Sequence, residues 1–184
     1  MLAFWRHGYE TTSIVDLTTA MGITAPSLYT AFGDKRQLFL EAVELYAGDP
    51  AEWGRAIEAA TSAFEVASEL LDAVAITYTG EDTPSGCLLA SATATGSPDA
   101  IDVQRVVADI RQGLAAQLAT RIRRDIADGL LPTDCNANAL ADLVVAVTQG
   151  MSALARDGGS RRQLLAVARA AMMAWPSHQP IARS

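Results

Sequence analysis

Apolar residues along this chain recur three and four positions apart, and no stretch alternates with the period of two that a half-buried strand requires. The pattern predicts an all-α protein of about nine helices. Met1 to His7 reads as the tail of a helix ended by Gly8, with Phe4 as its main core contact. So short a helix packs poorly, so a first helix that begins upstream of this sequence is expected. Ile14–Met21 is a second helix, capped by Thr12 or Ser13, with Asp16 in its first turn. Gly22 breaks it. Thr24 caps a short third helix that tolerates Pro26 in its first turn and places Leu28 and Phe32 on one face. Asp34 caps a fourth helix to about Tyr46, with Leu38, Phe39, Ala42, Val43 and Tyr46 as its stripe.

Gly48-Asp49-Pro50 is a break, and it divides the chain into an N-terminal unit, 1–48, and a larger helical unit, 49–184. In the larger unit 51–78 is helical with an interruption near Ala60, 79–86 is a loop, and 87–95 is a short helix ended by Gly96. Pro98 opens a long helix to about Asp128, with a stripe of Val103, Val106, Ile110, Leu114, Leu118, Ile122 and Ile126. Gly129 and Pro132 end it. A helix from Asp134 or Asn136 to Arg156 and another over Arg161–Trp175 close the fold, with Pro176 as the stop.

Residues 12–32 combine two short helices with the lock and turn that a helix-turn-helix needs. Ile14, Leu17, Ala20, Ile23, Leu28 and Phe32 form the lock, and Gly22 supplies the turn. Thr24, Ala25, Pro26, Ser27 and Thr30 then face outward, towards base edges in a major groove. Thr12, Thr24, Tyr29 and Lys35 are placed to meet phosphates. The alternative is a plain helical hairpin with Tyr29 exposed and Lys35 solvated. Lys35 is the single lysine of the chain.

Charge complicates this picture. The net charge is −7, and residues 1–48 carry three positive groups against five negative ones. DNA affinity would have to come from local placement, helix N-termini and dimerisation, not from a basic field. The longest apolar runs are broken by polar residues, so no membrane span is expected. The opening MLAFWRHGYE lacks a basic n-region and a small-residue cleavage site, which makes the cytoplasm the expected location. Abundant alanine and arginine with one lysine suggest a high-GC bacterial genome. Cys87, Cys135, His7 and His178 are too scattered to build a metal site, and no cofactor is expected.

Gly8-Tyr9, Thr12-Ser13-Ile14, Gly22-Ile23-Thr24, Leu28-Tyr29-Thr30-Ala31-Phe32, Lys35 and Leu38 fall in register with the N-terminal domain of the tetracycline-repressor (TetR) family, which residues 1–46 resemble without a gap. The Leu-Tyr-x-x-Phe-x-x-Lys run is specific to that family. The resemblance implies a homodimeric transcriptional regulator, usually a repressor released by a small molecule, in which Tyr29 and Lys35 contact phosphates. It departs at Thr18 and Met21, where the family has small residues at the helix packing, and in lacking a basic N-terminal arm. Gly86-Cys87-Leu88-Leu89, Gly129-Leu130-Leu131-Pro132 and Gln149-Gly150-Met151 resemble one common subgroup.

The resemblance also implies that the last two helices pair across a two-fold axis. Leu140, Val147, Met151, Leu154, Leu164, Ala168, Ala171 and Trp175 are the candidate interface, with Ala146, Gly150 and Ala153 letting the backbones approach; the alternative is that this stripe packs within its own subunit. The effector pocket should lie among the helices of the larger unit. Its candidate walls are Phe64, Leu71, Tyr78, Leu114, Leu118, Val147 and Met151, with Cys87, Ser91, Gln117, Arg121 and Gln149 as polar points. Each is also compatible with ordinary core or helix surface. Mostly apolar walls suggest an apolar or amphipathic ligand. Cys87 is either a reactive thiol at a helix N-terminus or a small buried hydrophobe.

An enzyme is not expected: both histidines sit near the termini, and no glycine-rich phosphate loop or Glu-x-x-His motif is present. The acidic charge leaves one competing class, a helical small-molecule-binding or interaction protein with weak or no DNA binding.

Overall fold

The computed structural model describes residues 1–91 and 98–176, and within them every regular element is helical. The head comprises α1 (Leu2–His7), α2 (Ile14–Met21) and α3 (Ala25–Phe32), and α4 (Lys35–Ala47) leads out of it. The body comprises α5 (Pro50–Ala59), α6 (Ala63–Thr77), the single turn α7 (Leu88–Ser91), α8 (Pro98–Ala127), α9 (Ala137–Arg156) and α10 (Arg161–Met173). The predicted end of the α7 helix at Gly96 lies outside the described residues.

Local chemistry sets most of these boundaries. Side chains of Ser13, Thr24, Asp34, Asp49, Ser62, Asn136 and Ser160 each accept a backbone N–H in the first turn of the helix that follows. Gly22 adopts the left-handed conformation (φ 66°) between α2 and α3, where a β-carbon would be strained. The interruption expected near Ala60 is there. Ala60 is extended, and Ser62 caps a new helix.

The long helix α8 runs beside α9, α6 packs against α10, and α5 lies on α8. One continuous apolar core extends from Phe4 and Phe39 in the head to Leu164 and Ala168 in α10. The buried positions of α8 include Val103, Val107, Leu118 and Ile122, while Val106, Ile110 and Leu114 are only half-buried. The predicted stripe therefore faces partly towards a cavity and not wholly into core.

Helix α9 corrects the membrane expectation in its literal form. It is long and apolar enough to cross a membrane, with a mean hydropathy of 1.2. In the fold it packs against α6, α8 and α10 with its Leu140–Val144–Met151–Ala155 side buried and its opposite side exposed.

Candidate DNA-reading face and effector cavity

The head is held by reciprocal caps. The Ser13 N–H donates to Asp16 Oδ2 at 2.8 Å, and the Asp16 N–H donates back to Ser13 Oγ at 3.1 Å. The Ser13 hydroxyl, which donates to Asp16 Oδ2 at 2.6 Å, and then the Ser13 N–H hold the Asp16 carboxyl below its ordinary value. Thr24 Oγ1 accepts the Ser27 N–H at 3.3 Å and starts α3. Leu28 is fully buried and Leu17 nearly so, with Ile14, Ile23 and Phe32 packed around them. Of the two departures from the family pattern, Thr18 is accommodated by donating its hydroxyl to the Ile14 carbonyl at 2.9 Å. Met21 is 41% exposed and lies outside the helix packing, contrary to expectation.

Helix α3 presents Pro26, Ser27, Tyr29 and Thr30 to solvent, with Thr24 exposed at its cap and Ala25 half-buried. The Thr30 hydroxyl is turned back onto the Pro26 carbonyl at 2.8 Å. Lys35 begins α4. Its ammonium lies 4.6 Å from the centre of the Tyr9 ring and donates to the Glu10 carbonyl at 3.2 Å. It is thus held over the turn between α1 and α2. Thr12 is a correction. It is completely buried and donates its hydroxyl to the Gly8 carbonyl, so it braces that turn and cannot reach a phosphate.

A cavity of about 250 Å³ opens where α4, α6, α8 and α9 converge. Trp53, Leu70, Val74, Leu89, Ile110 and Leu114 form its apolar wall, and Tyr46, Tyr78, Cys87, Arg111, Thr148 and Gln149 its polar one. Tyr46 Oη donates to Cys87 Sγ at 3.4 Å. The Cys87 N–H donates to Ser152 Oγ at 2.9 Å, and Arg156 donates to the Cys87 carbonyl at 2.9 Å. Burial, then the adjacent thiol, pushes the phenols of Tyr46 and Tyr78 well above their ordinary value. Both stay protonated and able to donate.

Of the twelve pocket candidates, Tyr78, Cys87, Leu114 and Gln149 lie on this cavity, and Gln117 lines an adjoining groove. The others are corrected. Leu71, Leu118 and Met151 are sealed in the core. Ser91 donates to the Leu88 carbonyl at 2.6 Å, beneath the head. Arg121 is buried in an ion pair with Asp125 at 3.1 Å. Phe64 packs edge-on against Trp175 at 6.1 Å, on the far side of α6. Val147 is half-buried on α9, off the cavity wall. The sequence reading missed Tyr46, Trp53, Leu70, Val74, Arg111 and Thr148. Leu70 and Thr148 are each one residue from a chosen position, a rotation of one helical step.

Head and cavity share walls. Trp5 Nε1 donates to the Gly86 carbonyl at 2.9 Å, and the Trp5 ring meets Tyr46 edge-on at 4.9 Å. Gly86 precedes Cys87, and a β-carbon on Gly86 would lie 2.8–2.9 Å from Arg156 Nε and Ser152 O. At the start of α4, Arg36 pairs with Asp102 of α8 at 3.7 Å.

The candidate dimer face is corrected in part: Ala146, Gly150 and Ala153 are exposed as expected. Leu140, Met151, Leu164 and Ala168 are buried within the protomer and are not available to a partner. The exposed stripe is Ala139, Leu143, Ala146, Gly150 and Ala153 on α9, flanked by Ala166, Ala170 and Met173 on α10. Val147, Leu154, Ala171 and Trp175 are half-buried beside it.

A helical head that displays one short helix, joined to a helical body with a cavity, defines the architecture of a helix-turn-helix regulator. Residues 3–42 match the sequence model of bacterial regulatory proteins of the tetR family. The repressor ComR of Escherichia coli K12 is 34% identical over 179 residues, covering 96% of this chain and 85% of ComR. The repressor BdcR of the same organism is 28% identical over 167 residues, covering 90% of this chain and 79% of BdcR. Among solved structures, a cysteine-substituted form of the regulator CifR, in complex with 26-base-pair operator DNA, superimposes with a TM-score of 0.87 at 39% identity, covering 95% of this chain and 92% of that one. The chain belongs to the TetR family of bacterial transcription regulators.

Proposed function

We propose that this protein is a homodimeric transcriptional repressor in the cytoplasm that binds a pseudo-palindromic operator and leaves it when a small apolar or amphipathic molecule enters the cavity. Residues 1–48 are the DNA-binding unit in this reading, and 49–184 bind the effector and the partner. Repressor, and not activator, follows the names of ComR and BdcR.

The observation that carries the proposal is the position of Tyr46. It stands in the cavity wall, at the end of the helix that begins with Lys35 in the head. A ligand that displaces Tyr46 moves α4, and with it the spacing of two reading heads. On DNA, Tyr29 and Lys35 contact phosphates, while Ala25, Pro26, Ser27 and Thr30 lie against base edges. The exposed stripe around Leu143 and Gly150 pairs across the two-fold axis.

Selecting bound fragments from genomic DNA and measuring affinity for the selected site tests this reading. Tyr29→Ala and Lys35→Ala should weaken binding to all sequences alike, and Lys35→Ala should reduce the salt slope by about one ion. A second reading, a ligand-binding protein with little DNA affinity, draws support from the net charge of −7. Absence of any sequence preference at low salt would favour it.

A further inference from the structure

The cavity has an uneven charge. Among the described residues, its wall carries one cationic side chain, Arg111, and no carboxylate. The Arg111 guanidinium donates to Gln149 Oε1 at 3.3 Å, a long hydrogen bond to a neutral group. It has no carboxylate within ion-pair distance among the described residues. Asp142 shares an outer groove with Arg111, and Glu44 and Asp109 line a second groove beyond Trp53; none of them lines the cavity. A second guanidinium, Arg156, stands behind the Cys87 carbonyl at 2.9 Å. The phenols of Tyr46 and Tyr78 lie within reach of that positive charge and of the Cys87 thiol, and no carboxylate acts on them. A half-buried cation facing apolar walls and hydrogen-bond donors selects for a negative group.

Arg111, Val145 and Gln149 also line the outer groove between α8 and α9, so they form the partition between that groove and the cavity. The size of the space limits the rest. A cavity of roughly 150 Å³ holds benzene, and here about 250 Å³ is available.

Building on the reading of this cavity as the effector site, we infer that the effector is a small organic carboxylate. Its single ring or branched chain lies among Trp53, Val74, Ile110 and Leu114, and its carboxylate replaces Gln149 as the partner of Arg111.

The test is titration calorimetry of the full chain with benzoate, cyclohexanecarboxylate and their two neutral amides, on the wild type, Arg111→Met and Arg111→Lys. At least one carboxylate should bind at least about tenfold more tightly than its amide, and Arg111→Met should abolish that preference without weakening the amide. Arg111→Lys, which keeps the charge, should retain part of it. The inference is overturned if the amides bind as well as the acids, if neither carboxylate saturates, or if Arg111→Met leaves the preference intact. Operator binding measured on the same samples without ligand separates the two readings. Its absence would sink the regulator while leaving the carboxylate preference measured on its own terms.

Discussion

Trp5 and Gly86 are joined by an indole N–H to carbonyl hydrogen bond of 2.9 Å that spans 81 positions of sequence. It ties the first helix of the head to the residue before Cys87, on the cavity wall. Trp5→Phe keeps an aromatic ring beside Tyr46 but removes the donor together with part of the buried indole. The Gly86 carbonyl loses this partner in a buried setting and the smaller ring leaves a gap, so stability should fall by at least about 1–2 kcal/mol in chemical denaturation. If the bond relays cavity occupancy, the variant should also need more ligand to release DNA while binding operator normally. Unchanged release would assign the bond to stability alone.

Asp125 anchors the other end of the body. It is 1% exposed, accepts the Ala63 N–H at 2.6 Å and so holds the start of α6. Its other oxygen lies 3.1 Å from Arg121 Nε, close enough for an ion pair but poorly aligned for a hydrogen bond. Asp125→Asn leaves an acceptor for Ala63 but strands the Arg121 charge. The expected loss is about 3 kcal/mol, or roughly 6–12 °C in the thermal midpoint for a chain of this length. A shift near zero would mean that water reaches Arg121.

Stability should fall at both ends of the pH scale, for opposite reasons. Hydrogen bonds from Thr61 hold the Glu65 carboxyl below its ordinary value, and Ser13 does the same for Asp16. Folding therefore favours the ionised forms. Their contribution is present above the ordinary carboxylate range and is lost as pH falls below it. Tyr46 and Tyr78 are held protonated by burial, so their contribution is complete below the ordinary phenol value of about 10 and is lost as pH rises beyond it. Urea midpoints measured against pH should show both limbs. Glu65→Gln should flatten only the acid limb, and Tyr46→Phe only the alkaline one.

Leu143 is 43% exposed on the outer face of α9. Leu143→Glu should leave the protomer folded but place two like charges near a two-fold axis. Sedimentation should then show monomers, and operator affinity should drop at least about tenfold. A variant that remained dimeric would move the interface elsewhere.

The head was legible because its signals are local. Ser13, Thr24 and Asp34 cap the next turn of chain, and Gly22 reports a backbone angle. Thr12 misled because a threonine two residues before a helix looks the same whether its hydroxyl meets a phosphate or the Gly8 carbonyl. The body was legible as helices but not as a site. Helices α8 and α9 carry apolar residues on more than one side, so periodicity does not say which side meets core, cavity or partner. Thr148, beside the chosen Val147, is the cavity residue, and Leu143, one turn from Leu140, is the exposed one. Tyr46 and Trp53 flank the break at Gly48, where helical periodicity carries no sign of a pocket.

The central claim is that filling the cavity weakens DNA binding. Val74→Phe places a ring in that space without any ligand. Operator affinity of the purified dimer, measured by fluorescence anisotropy beside a circular dichroism spectrum, is the direct test. The account predicts an affinity at least about tenfold lower with helical content unchanged. Wild-type affinity in a variant whose cavity no longer binds any small molecule would contradict it.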